Sequence, residues 1–279
     1  MNKKPLRLIA LNEINFDFID RYVSKYDLKN LKKLQSYPST FTSSEQDYEL
    51  IEPWIQWVSV HTCQEYREHK VFRLGDICKY DGTQIFESIE KKGFKVGCIS
   101  PMNSANSLKE PSFFIPDPWT LTKSDGSFFS RNLHEALVQT VNDNTTGKIT
   151  KKSIFILLIS LFRFGRIKNY PTYIKLFWNS KNKKWNKSLF LDVFLFDVYL
   201  TMYRQKKPDF STVFLNSFAH IQHHYFLNSE FYDGDIKNPN WYCDSDADPL
   251  KDALIIYDRI IGDLFDNDST TIIATGLQQ

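Results

Sequence analysis

The chain has no Cys-x-x-Cys pair. Its four cysteines, Cys63, Cys78, Cys98 and Cys243, stand far apart, which excludes the usual spacing of a structural zinc site or a redox-active dithiol. They read as small buried hydrophobes in a reducing, cytoplasmic compartment. Long apolar runs are also lacking. The most apolar window, residues 153–162, falls well short of the ~20 residues that a bilayer-spanning helix needs, so no transmembrane segment is expected. That window reads as a buried helix or as one that touches a membrane. The amino terminus starts basic, but its apolar run breaks at Asn12 and Glu13, which is a first strand and not a signal peptide. A large charge excess is missing too. The formal net charge of +2 gives no reason to expect a nucleic-acid polymer as partner.

What is present suits a folded enzyme-sized unit. At 279 residues, 42% hydrophobic and 15% aromatic, the chain can build one large α/β domain, or one domain carrying an insertion. The sequon Asn144-Thr145-Thr146 has no consequence in a cytoplasmic protein.

Leu6–Leu11 is a continuous apolar run of strand length, typical of a buried parallel strand. It ends in Asn12-Glu13. A carboxylate there is placed to hold a cation or polarise a substrate; capping the next helix is its plainer meaning. Residues 16–22 and 28–34 look helical, and 36–49 reads as loop. Glu52-Pro53 starts a further helix, with one apolar face expected at positions 54, 57, 58 and 60 and with Trp54 and Trp57 in the core. Residues 82–92 form an amphipathic helix that Gly93 ends, and 94–99 follow as a second buried strand. The three prolines within 111–119 predict irregular chain.

The character changes over residues 124–207. Strand signals vanish, and helical periodicity with aromatic and basic residues replaces them. This segment reads as a helical insertion, a lid or accessory subdomain, between a first core part (1–123) and a second (208–279). Its basic loop, 179–188, is most simply a solvated face; contact with an anionic substrate or a lipid headgroup is the other meaning. Residues 208–216 return to the sheet. An amphipathic helix spans 249–265 and a last strand 270–274, after which the chain stops, which suggests truncation at the carboxyl end.

The densest chemistry lies just past the strand at 212–215. Three of the six histidines, His220, His223 and His224, fall within five residues. On a helix they share one side at i, i+3 and i+4, beyond the carboxyl end of a strand, where α/β enzymes place their chemistry.

In order along the chain, four landmarks resemble the alkaline phosphatase superfamily, especially its phosphodiesterase and nucleotide-pyrophosphatase-like branch. LIALNEIN looks like the first strand with its metal-binding acid, here Glu13. EPWIQWVSVHTC looks like the helix after the nucleophile, with Trp57, Ser59 and Thr62 fitting and Cys63 in place of Gly. FLNSFAHIQHHYF resembles the Asp-x-x-Gln-His segment, with Ala219 at the Asp position, His220 beside it and His223 at the His, or His224 in a shifted register. YDRIIGDLFDNDSTTIIATGLQQ resembles the approach to a Ser-Asp-His-Gly motif, which here reads Thr275-Gly276-Leu277-Gln278.

The resemblance implies a three-layer α/β/α sandwich with a mostly parallel sheet and a helical insertion. It implies a hydrolase or transferase acting on a phosphate or sulfate ester of a small molecule or glycan. The cofactor would be a divalent metal, zinc or manganese, with Glu13, His220 and His223 as ligands. Glu52 or Pro53 occupies the nucleophile position; neither has a hydroxyl, and Glu52 is the candidate catalytic residue. The alternative is a divergent, non-hydrolytic member that binds a phosphorylated or sulfated glycan or nucleotide.

Overall fold

Alternate residues of Leu6–Leu11 pack on opposite sides, and helices cover both sides. The structure, a computed structural model, describes residues 4–43, 45–142 and 149–276. The sequon at Asn144 and the pair Leu277-Gln278 lie outside the described residues.

In chain order the elements are β1 (Leu6–Leu11), α1 (Phe16–Lys25), α2 (Lys29–Gln35), α3 (Pro53–Thr62), α4 (Tyr66–His69), α5 (Ile85–Lys91), β2 (Val96–Ile99) and β3 (Phe113–Ile115). There follow α6 (Phe128–Asn142), α7 (Lys151–Phe164), α8 (Tyr170–Asn179), α9 (Asn186–Lys206), β4 (Phe210–Leu215), α10 (Ser217–Tyr225), α11 (Pro249–Gly262) and β5 (Thr270–Thr275). The five strands form one sheet in the order β3-β2-β4-β1-β5, and every pairing is parallel.

The two faces follow the period of two along each strand. Ile9 and Leu11 of β1 join Val213, Leu215 and Ile99 in a large cluster that includes residues of α1, α2 and α6 to α11. Leu8 joins Val96, Cys98, Phe114 and Phe210 against Phe86 of α5. Ala10 and Phe214 meet Trp57 of α3. The expected α/β class with a parallel central sheet and helices on both faces is therefore present.

Three details differ from the sequence reading. Residues 113–115 form an edge strand parallel to β2, where irregular chain was expected. Pro111 and Pro116 flank the strand instead of interrupting it, so no ladder donor is lost. The buried side of α3 is Ile55, Trp57, Val58, His61 and Thr62. Trp54 is only half-buried and Val60 is exposed, because packing on the sheet selects that side and not the most apolar one. The helix expected from residue 82 begins at Ile85, where Gln84 and Glu87 make a reciprocal capping box. Gly93 does end it, with φ of 84°.

Among the described residues, 124–207 supply four α-helices between β3 and β4. Their longest, α9, packs on β4 and β2, and its Leu189, Phe196 and Tyr199 are fully buried in the same cluster as β1. The change in sequence character at 124 and 207 thus marks a layer that shares the core of the flanking segments.

Candidate active site

In a parallel sheet, strands that end in register deliver their following loops to one rim. Leu11 of β1 pairs with Leu215 of β4 on one side and with Thr275 of β5 on the other. Asn12-Glu13, Asn216 and Gly276 are therefore neighbours at the carboxyl edge. Asn12 organises them. Its backbone N–H donates to Leu215 O at 3.0 Å. Its side-chain Nδ2 donates to Asn216 Oδ1 at 2.8 Å and to Glu13 Oε1 at 3.3 Å, and its Oδ1 accepts from Trp57 Nε1 at 2.9 Å. Gly276 lies so close that a Cβ there would stand 3.2 Å from Trp57 Nε1.

Trp57 is core, as expected, but its indole N–H also fixes the rim. Trp57→Phe keeps most of the packing and leaves a buried amide oxygen without its donor, so a stability loss of about 1–3 kcal/mol in urea unfolding is expected. A neutral result would show that Asn12 is held by the strand alone.

Glu13 turns back over this rim with φ of 55°, a left-handed backbone that a side chain rarely adopts and that clusters at functional sites. Its carboxylate is buried. Oε2 lies 2.8 Å from His223 Nε2, and apart from this approach it meets no hydrogen-bond partner among the described residues. Burial raises the Glu13 pKa above the ordinary carboxylate value, His223 opposes that rise, and the charge of Glu52 adds to it. Glu52 is the half-buried residue that precedes the first turn of α3. The sequence-nominated residues Glu13 and His223 thus meet at one edge, with Glu52 near enough for its charge to act on Glu13.

The other histidines of α10 divide from His223. His220 and His224 lie ring against ring at 4.7 Å, and His224 Nδ1 meets Tyr242 Oη at 2.7 Å. Desolvation and the two neighbouring imidazoles hold the His220 pKa below the usual histidine value. The i, i+3, i+4 spacing put three rings on one helix side; among the described residues it is the ring at 223 that pairs with Glu13.

Position of α10 is set from beneath. Asp192 of α9 accepts from Ser217 N at 2.9 Å and from Tyr257 Oη at 2.5 Å, and Ser217 Oγ donates to Ser188 O at 2.6 Å. Farther along the rim, Asp117 gathers Asn103 N, Trp119 N, Thr120 N and Thr120 Oγ1, and burial pushes its pKa up to about 6. Sequence reasoning missed Asn12, Asn216, Asp117 and Asp192. The available signal was position: Asn12 and Asn216 each directly follow a buried strand.

Chemically, the rim offers a buried carboxylate oxygen 2.8 Å from the nitrogen of a half-exposed imidazole, with the charge of Glu52 acting on the carboxylate. Such a pair can take up and return a proton, and its oxygen and nitrogen are both metal-ligand atoms. No family model matches the chain, and no curated protein matches it.

Proposed function

We propose that the chain is a hydrolase or transferase acting on a phosphate or sulfate ester of a small molecule or glycan, assisted by a divalent cation, zinc or manganese. The observation that carries this reading is the 2.8 Å approach of Glu13 Oε2 to His223 Nε2 at the carboxyl edge of a parallel sheet, where such enzymes bind their ligands. The ordered likeness to the alkaline phosphatase superfamily supports it at the level of fold.

Glu13 and His223 would hold the cation. A bound cation supplies Lewis-acid polarisation of the ester oxygen and activates water. The donors fit in kind, since a carboxylate oxygen and an imidazole nitrogen both ligate zinc and manganese. They fall short in number: among the described residues no group of three carboxylates, imidazoles or thiolates is gathered for a metal, and a catalytic zinc takes three protein ligands. His220, nominated as the third, turns to His224. The chain's own residues have clear tasks without it. Burial favours the neutral form of Glu13, so its carboxyl would serve as the proton-carrying group; the exposed His223 ring would link it to the ligand side, and the charge of Glu52 acts on Glu13.

A second reading, a non-hydrolytic relative that binds a phosphorylated or sulfated glycan or nucleotide, draws on one observation. α3 begins Glu52-Pro53, so no hydroxyl stands where the family carries its nucleophile.

Calorimetric titration of zinc and of manganese into the full chain, with turnover of an aryl phosphate, a phosphodiester and an aryl sulfate, tests the proposal. Metal binding is expected, weakened about tenfold or more in Glu13→Gln and in His223→Ala, each of which removes one ligand. Turnover is expected to fall with it. Absence of metal binding together with no turnover of all three esters sinks the enzyme reading. Ester binding without cleavage that survives both substitutions selects the second reading at a different place on the rim.

A further inference from the structure

We propose that the outer faces of α7 and α8, with the connector between them and the basic loop after α8, dock the protein on an anionic lipid bilayer. The surface is separate from the candidate active site and does not depend on it.

Two observations meet here. The first is apolar exposure. On α7 the inward residues are Ile156, Ser160 and Phe164. Ile154, Phe155, Leu158 and Phe162 point out, Phe162 with 84% of its surface exposed. Ile167 in the connector is 88% exposed. On α8, Tyr173 and Leu176 are buried, whereas Ile174, Phe177 and Trp178 are exposed. Isolated exposed hydrophobes are ordinary on a protein surface; eight on two consecutive helices and their connector mark an interaction face.

The second observation is charge. Residues 149–191 contain ten Lys and Arg and no Asp or Glu, although the whole chain carries only +2. The remainder is therefore net acidic, and the positive charge is concentrated on this one segment. Lys152, Arg166, Lys168 and Lys183 are engaged by acids of neighbouring elements. Lys151, Arg163, Lys175, Lys181, Lys184 and Lys187 make no ion pair among the described residues, and the Lys181 ammonium rests 4.6 Å from the centre of the Trp178 ring. Trp178, Asn179, Lys181, Asn182 and Lys183 line an open surface recess, in which Lys181 is the lysine without an ion pair among the described residues.

Charge decides what covers this face. A second copy of the chain would lay the same basic surface against itself, and like charges oppose that pairing. An anionic bilayer meets both halves of the pattern: the interface takes the Phe, Leu, Ile and Trp side chains, and the headgroups take the lysines. No helix among the described residues is long and apolar enough to cross a membrane, so the helices would lie on the surface. Their presentation is firm. Asp197 of α9 accepts from Arg166 N and Nε, Asn169 Nδ2 and Tyr173 Oη, which pins the connector and the start of α8 to α9 from the inner side.

Flotation of the full chain with vesicles tests the proposal, using phosphatidylcholine alone and phosphatidylcholine with about one third phosphatidylglycerol. Binding to the anionic vesicles is expected, about tenfold or more tighter than to the neutral ones, and weakening as salt is raised. Phe155→Ser with Phe162→Ser, and separately Lys181→Ala with Lys184→Ala, should each lose about tenfold or more. All four side chains are exposed, so an unchanged circular dichroism spectrum is expected, and it separates lost docking from lost folding. No flotation overturns the proposal. So does flotation that both variants retain, and so does a dimer that Phe155→Ser with Phe162→Ser dissociates while the wild type ignores lipid; that last result would assign the face to a second copy.

Discussion

Asp192→Ala is expected to destabilise the protein by about 2–3 kcal/mol at pH 7 and by about 5 kcal/mol near pH 4. The side chain is fully buried and links three elements: it sits on α9, accepts from Ser217 N at the start of α10 and accepts from Tyr257 Oη of α11. Removal leaves those two buried donors without an acceptor, at on the order of 1–3 kcal/mol each, and the vacated space adds roughly 1 kcal/mol.

One effect opposes this loss. Burial pushes the native Asp192 pKa up to about 6, against 3.8 for the ordinary side chain. At pH 7 the native carboxylate is thus ionised at a cost that the unfolded chain does not bear, on the order of 3 kcal/mol, and alanine relieves it. As pH falls through about 6 the native group takes up its proton first, the relief disappears, and the difference between wild type and variant grows until the unfolded carboxyl also titrates near 3.8. Urea unfolding at the two pH values reads the difference. A variant that is equally destabilised at both would mean that Asp192 is not held protonated by the fold. Because Asp192 anchors the helix that carries His223, the same variant should also lose metal or ester affinity at the rim.

This anchor shows where sequence reasoning ran out. The run Leu6–Leu11, the strand ending at Leu215 and the helix after it were legible because buried parallel strands and amphipathic helices imprint continuous and periodic hydrophobicity. The meeting of Glu13 with His223 was legible because residues just past two such strands share an edge when the strands are parallel. β3 was not, since three residues between prolines carry no period. Neither was the split of His220 and His224 from His223: helical spacing fixes a side to within a turn, whereas the partner of each ring, Tyr242 for His224 and Glu13 for His223, comes from distant chain. Asp192 was invisible for the same reason. Within α9 it reads as one more polar residue in a helix, and only the tertiary contact gives it a task. The basic and aromatic stretch of 124–207 was visible as composition, but which of its apolar residues face outward depends on how α7 and α8 lie over α9.

His61 supplies the sharpest dependence on acid. It is completely enclosed on α3, its Nδ1 meets Ser104 Oγ at 2.6 Å, and the Phe86 ring lies 5.1 Å away. Burial alone brings its pKa down to about 3 from 6.5. The native imidazole is therefore neutral across the physiological range, whereas the unfolded one takes a proton below about pH 6.5. The sign follows from proton counting: below pH 6.5 the unfolded state binds the extra proton, so this group's contribution is full above that pH and is lost as pH falls toward about 3. The loss is about 1.4 kcal/mol per pH unit, or on the order of 4–5 kcal/mol over the whole window.

Wild-type stability alone does not isolate the effect, because Asp117 and Asp192, both raised to about 6, act in the opposite direction between about pH 6 and 4. Comparison with His61→Leu does isolate it, since the acids are common to both proteins. At pH 7 the variant should be less stable by about 1–2 kcal/mol, having lost the hydrogen bond to Ser104. Near pH 4 the order should reverse, the wild type having fallen by about 3 kcal/mol relative to a leucine that cannot take a proton. Curves of unfolding free energy against pH that run parallel for the two proteins would mean that His61 is protonated in the native state, and that the enclosure of α3 against β1 and β4 admits a charge.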